Sequence, residues 1–266
     1  MSSAKLKQQL SIQLKIKTCD VSHLVPVSTN NLHVLMSMNE QSKVTLVDIR
    51  SGQLLHEIKL QGKPWAVCMT SANLAATTLD NKTIQFMQVN ETTLKMDSTM
   101  KVDVDVVGIA AHGDNLVVTH APPGVRIISK DGAVIHSLNN ELAKREIFKA
   151  PLFIATTSDG FIYISDMRLN KITRLDPSLK ILQTFSGPML NVPRGIISLN
   201  RDQLLVCSRN TIAEIRPSIN SMADLMRKEE RLESPLTLCF FSKQKNICVA
   251  SATDKGTGKI LVYNLE

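Results

Sequence analysis

The chain is poor in aromatic side chains, which make up 4% of its 266 residues and include one tryptophan. Stacking platforms for unpaired bases are correspondingly scarce. No apolar run approaches the roughly 18 residues that a membrane-spanning helix needs. The opening residues MSSAKLKQQLSIQLKIK also lack the apolar stretch of a secretory signal. A soluble, cytoplasmic protein without a membrane partner is the expectation. Cysteine pairs at metal-ligand spacing are missing too. The five cysteines, Cys19, Cys68, Cys207, Cys239 and Cys248, are odd in number and scattered, with no CxxC and no Cys/His cluster. That pattern excludes a structural zinc module. Four of the five sit in apolar runs, where a free cysteine acts as a small buried hydrophobe.

What is present is a rhythm. Ala150 to Gly187 holds four short runs: Leu152–Thr157, Phe161–Asp166, Lys171–Leu175 and Leu179–Phe185. Turn-formers separate them: Ser158-Asp159-Gly160, Arg168-Leu169-Asn170 and Asp176-Pro177-Ser178. Such runs, rich in Ile, Thr, Tyr and Phe and broken at turns, read as an antiparallel four-stranded meander.

The unit repeats. Pro193 and Pro235 follow Pro151 at intervals of 42 residues, and Val106 and Pro64 precede it by 45 and a further 42. The pair Asn-Leu recurs at Asn31-Leu32, Asn73-Leu74 and Asn115-Leu116, again in steps of 42. About 42 residues and four strands are the size of a propeller blade. The predicted blades span about 21–62, 64–102, 103–140, 146–187, 188–231 and 233–266.

The last blade has only three strand-like runs, PLTLCFF, ICVAS and KILVYN, while LSIQLKIK at residues 10–17 stands alone upstream. Pairing the two closes the ring and removes a free sheet edge. The expectation is an all-β, six-bladed β-propeller of four-stranded antiparallel blades. Its N-terminal strand completes the last blade, making 8–266 one domain, monomeric, behind a flexible terminus at 1–7. Two departures are expected. One helical turn follows a capping asparagine in 140–145. A short helix opening at Ser221-Met222-Ala223-Asp224 takes the place of the fourth strand of blade five or follows it. The RKEER run at 227–231 reads as a solvated face.

The segment FIYISDMRLNKITRLDP, with Pro151 before it and LQTFSG after it, resembles one NHL repeat. That repeat is a blade of the C-terminal propeller in tripartite-motif (TRIM) proteins, and the chain is similar to the invertebrate members. Asp166 matches the aspartate that ends the second strand of an NHL blade. The resemblance implies an interaction module, and some members of that family bind RNA. No ligase module accompanies the propeller.

Catalytic constellations are not apparent. The first strands of the blades, which line the channel, contain no Asp, Glu or Lys, although a calcium-dependent propeller hydrolase needs oxygen ligands there. Asp103 and Asp105 flank one strand, and His23 and His112 stand alone. No Gly-rich phosphate loop or Ser-His-Asp set occurs. The sequence thus predicts a protein that is not an enzyme and uses no cofactor or metal.

Binding follows from topology and charge. The second-to-third turns and the blade-to-blade connections share one face. It carries Lys43, Lys63, Lys82, Lys101, Lys144, Arg145, Arg168, Lys171, Arg194, Arg209, Lys255 and Lys259. Acids interleave with them, leaving an excess of about four positive charges. The whole chain has a net charge of +7. Trp65 enters the channel mouth at the start of blade two, either as an anchor for a partner or packed against the neighbouring blade. A protein or peptide partner at this loop face and mouth is the first expectation. RNA on the same basic face is the alternative.

Overall fold

The computed structural model describes residues 6–12, 21–27, 31–226, 232–252 and 258–265. Blade one comprises β2 (Val21–Pro26), β3 (His33–Met38), β4 (Lys43–Asp48) and β5 (Gln53–Lys59), after the closing strand β1 (Leu6–Ile12). Blade two comprises β6 (Pro64–Ser71), β7 (Leu74–Leu79), β8 (Thr83–Val89) and β9 (Leu94–Lys101). Blade three comprises β10 (Asp105–His112), β11 (Asn115–Ala121), β12 (Gly124–Ile128) and β13 (Val134–Asn139). Blade four comprises β14 (Pro151–Thr156), β15 (Ile162–Asp166), β16 (Lys171–Leu175) and β17 (Ile181–Ser186). Blade five comprises β18 (Ile196–Asn200), β19 (Gln203–Ser208), β20 (Thr211–Arg216) and β21 (Ser221–Asp224). Blade six comprises β22 (Pro235–Phe241), β23 (Asn246–Ala252), β24 (Gly258–Leu265) and, at its outer edge, β1. Among the described residues these make six four-stranded antiparallel sheets.

The ring is closed by packing as well as by pairing. Each first strand lies against the first strands of the blades on either side, and β22 returns to β2. The middle strands are buried on both faces, so they read as near-continuous apolar runs rather than as alternation. In β3, Leu35 packs toward blade two, whereas Val34, Met36 and Met38 pack toward blade six. Six apolar clusters fill the six gaps between neighbouring blades, the last uniting Val34 and Met36 with Phe241, Cys248 and Val262. Each such side chain contributes about 1.5–3 kcal/mol.

The pairing of β1 with β24 sets Leu6 opposite Leu265 and Ile12 opposite Ile260. The closing strand therefore starts four residues before the predicted 10–17, and residues 13–17 lie outside the described ones. Leu6 is buried in the cluster between blades five and six, so the boundary expected at residue 8 falls within a strand.

Two local expectations are corrected. Ser221–Asp224 forms a strand rather than the first turn of a helix. Its backbone pairs with Ala213–Arg216, and the Asp224 carboxylate accepts from the Thr211 hydroxyl and from the Met226 N–H. The edge of β20 claims this backbone before a helix can. The RKEER run, 227–231, lies outside the described residues. The helical turn α1 (Asn140–Ala143) does form, but Asn139 caps it by accepting from the Leu142 N–H at 2.8 Å. Asn140 instead ties down the next connection, accepting from the Ile147 and Phe148 N–H groups.

A recurring staple fixes three of the connections to their blades. The fully buried Asp166 accepts from the N–H groups of Lys149, Ala150, Arg168 and Leu169. At the matching places, the Ser208 hydroxyl donates to the Asn191 carbonyl and the Ser251 hydroxyl to the Glu233 carbonyl. Lys149, Asn191 and Glu233 all stand two residues before their blade's proline.

Candidate functional site

The first strands are irregular at one repeated place. The ladder shifts register between Val21 and His23, Pro64 and Val67, Val106 and Ile109, Pro151 and Phe153, and Pro235 and Thr237. A bulge leaves its extra residue outside the ladder and re-aims its side chain. In blade five the strand begins later, and the Arg194 N–H donates to the Cys207 carbonyl. The residue after each repeat marker is thus set free, and all six line one cavity of about 320 Å³: Ser22, Trp65, Val107, Leu152, Arg194 and Leu236. One side chain per blade builds the mouth of the channel.

Hydroxyl groups and close backbone approaches hold this ring. Ser22 Oγ and Asn39 Nδ2 both donate to the Pro64 carbonyl, at 3.2 and 3.0 Å. Thr78 Oγ1 accepts from the Ala66 N–H and donates to the Val107 carbonyl of the next blade. Thr119 Oγ1 accepts from the Gly108 N–H at 2.8 Å. A Cβ at Gly108 would stand inside the van der Waals envelope of the Leu152 carbonyl, and one at Gly195 would lie 2.6 Å from Thr237 Cα. Only glycine lets blades three and five approach the bulges of their neighbours so closely.

In a ring of six, blades two and five are opposite, so Trp65 and Arg194 stand across the mouth from each other. Trp65 is 43% exposed, so part of its indole is packed and part is open to the mouth. Among the described residues no side chain pairs with the Arg194 guanidinium. Glu40, also on the lip, is paired with Lys63 at 3.1 Å. The floor is formed by blades one and four, also opposite. The His23 and Phe153 rings stack there, with centroids 5.6 Å apart. This stack parts the mouth from a second cavity of about 410 Å³, which holds the rest of the channel. Burial pushes the His23 imidazole down to about 4, against a smaller opposing hydrogen bond with the Val67 backbone. It is neutral at pH 7, and its Nδ1 is a buried atom without a hydrogen-bond partner.

The predicted basic residues share the face of the mouth but do not form one patch. Lys43 is bonded to Glu57 at 2.7 Å, Lys63 to Glu40, and Lys82 stands 4.0 Å from Asp105. Lys171 opens β16, and burial lowers its ammonium pKa while Asp166 opposes the shift. Arg168 and Arg209 sit in turns of blades four and five, each held by its backbone N–H, to Asp166 and to the Asn191 carbonyl. Lys259 is the second residue of β24 and pairs with Ser251. Lys255 lies outside the described residues. Of the twelve basic residues expected on this face, the cavity lining includes only Arg194.

Sequence reasoning singled out Trp65 and Arg194 separately and missed that they hold equivalent places. The signal was available, since each directly follows a repeat marker. Ser22, Val107, Leu152 and Leu236 were missed for the same reason, having no chemistry of their own to draw attention.

No family model matches the chain, and no curated protein matches it. Solved structures do. Virginiamycin B lyase from Staphylococcus aureus is similar at 18% identity, covering 99% of this chain and all of its own, with a TM-score of 0.67. A streptogramin B lyase gives 16% identity, coverage of 99% and 98%, and a TM-score of 0.65. The aldose sugar dehydrogenase of Streptomyces coelicolor, in its PQQ-bound form, gives 11% identity, coverage of 99% of each chain and a TM-score of 0.73. These likenesses show the six-bladed propeller fold. They also correct one expectation: these three rings of the same architecture are enzymes, so the prediction that the chain is not an enzyme does not follow from its fold. Counting carboxylates on the first strands was the wrong test, because loops on a propeller face can also supply reacting groups.

Proposed function

We propose that this propeller binds a segment of a protein partner at its channel mouth, with an apolar side chain of the partner seated in the cup. The observation that carries the reading is the ring of six equivalent positions. Three are aliphatic, one is small and polar, and the remaining two are an exposed tryptophan and an arginine that pairs with no side chain among the described residues. Tryptophan and arginine are the side chains most enriched at binding hot spots. A cavity of about 320 Å³ is at the lower end of ligand-pocket size and suits one or two side chains. The NHL-like sequence of blade four supports partner binding as well.

RNA on the basic face has less support. Lys43, Lys63 and Lys82 each lie beside a carboxylate, which weakens the field that phosphates would meet. Trp65 is also the single large exposed aromatic among the described residues.

A displayed random-peptide library tests the proposal. Enrichment of peptides with a bulky apolar residue is expected, with affinity falling at least tenfold in Trp65→Ala. Recovered peptides that bind this variant as tightly as the native protein would place the site elsewhere.

A further inference from the structure

The chemistry of the mouth specifies which part of a partner fits, an inference that rests on the binding reading above. The cup is blind, because the His23–Phe153 stack joins opposite walls beneath it. A continuous chain therefore cannot thread the channel; it can only dip in a side chain or arrive end first. Charge decides between these. Glu40 is offset by Lys63 at 3.1 Å, so among the described residues of the lip the charge left without an ion-pair partner is the Arg194 guanidinium. It lines a mostly apolar cavity, opposite Trp65. A guanidinium with no partner of its own, at an apolar wall, is suited to a bidentate pair with a carboxylate.

We infer that the mouth takes the free C-terminus of a protein chain, with the terminal carboxylate on Arg194 and the last side chain, apolar, in the cup against Trp65. A chain end satisfies both features at once, since its carboxylate and its last side chain leave the same Cα. An internal aspartate or glutamate would have to place its carboxylate at the rim and a neighbouring residue in the cup. Successive side chains of an extended segment point to opposite sides, which works against that arrangement.

The test uses the full chain and peptides selected from a library displayed with free C-termini. A selected peptide is synthesised as the acid and as the C-terminal amide, and both are titrated by fluorescence polarisation. Amidation is expected to weaken binding at least tenfold. Arg194→Gln is expected to bind acid and amide equally weakly, and Arg194→Lys to restore part of the preference. Thermal melts establish that each variant is folded. If acid and amide bind within twofold while Trp65→Ala weakens both, the mouth remains the site and the C-terminus assignment is overturned. If the acid is preferred equally by the native protein and by Arg194→Gln, the carboxylate is held elsewhere and the assignment is also overturned. Failure to enrich any peptide with a free C-terminus, when an internal-peptide library does yield binders lost in Trp65→Ala, overturns the inference alone. Failure of both libraries overturns the binding reading with it.

Discussion

His23 lies on the ring of Phe153 with an interplanar angle of 22°, and the two side chains come from blades one and four, half a ring apart. This contact bridges the channel and gives the mouth a floor. It also leaves an imidazole held neutral in the middle of the protein.

That imidazole makes stability depend on pH. Burial lowers its folded pKa to about 4 from an ordinary value near 6.5. The unfolded chain therefore binds this proton first as pH falls, and stability is lost between about 6.5 and 4. Because the ring is partly buried and lines the second cavity, we put the effect on the order of 2 kcal/mol. His112 and His120 are shifted down by burial as well and add in the same direction. Urea unfolding at pH 7 and pH 4.5 is expected to show a smaller loss for His23→Phe than for the native chain. An identical loss in both would mean that His23 is not the buried neutral group described.

Gly108 tests how closely the blades approach. An added methyl would press on the Leu152 carbonyl and on Thr119 Oγ1, and the former is backbone that cannot swing away. Gly108→Ala is expected to cost about 3 kcal/mol. Gly113→Ala, at φ +59° with open space around it, is expected to cost about 1 kcal/mol. Thermal melts rank the two, and an equal effect would contradict the interblade contact.

Asp166 joins four backbone N–H groups across a connection and a turn. Asp166→Ala leaves those buried donors without their acceptor, at a cost of about 3 kcal/mol or more. The measurement is chemical denaturation. A cost below about 1 kcal/mol would mean that water replaces the carboxylate.

Removing residues 1–12 strips β1 from β24 and takes Leu6 out of the cluster between blades five and six. The exposed edge is a template for pairing with another chain. A lower melting temperature and concentration-dependent association in sedimentation are expected. An unchanged, monomeric melt would show that closure does not depend on this strand.

Much of the architecture was legible before any coordinates. The interval of about 42 residues located every blade because, in five of the six, a bulge recurs at the marker, and proline is tolerated there as the opening residue of a strand. The closing strand was legible from the missing fourth strand of blade six. Its exact register was not, since Leu6, Leu10, Leu14 and Ile16 keep one parity and alternation alone does not say where pairing stops. The strand at Ser221–Asp224 was misread because Ser and Asp near an apolar run also mark a helix start, and the long-range pairing with β20 decided the matter. The mouth was only half visible. Trp65 drew attention by its rarity, whereas Arg194 was one cation among many until the repeat placed it opposite. Ion pairs such as Lys43 with Glu57, joining strands 14 residues apart, could not be read from charge counting along the chain.

The most direct measurement of the account is the emission of Trp65, the one tryptophan of the chain, during titration with a peptide selected for binding. A saturable blue shift is expected as the indole leaves water, with a midpoint matching the affinity found by polarisation. A peptide that binds with the tryptophan spectrum unchanged would contradict the assignment of the mouth as the site.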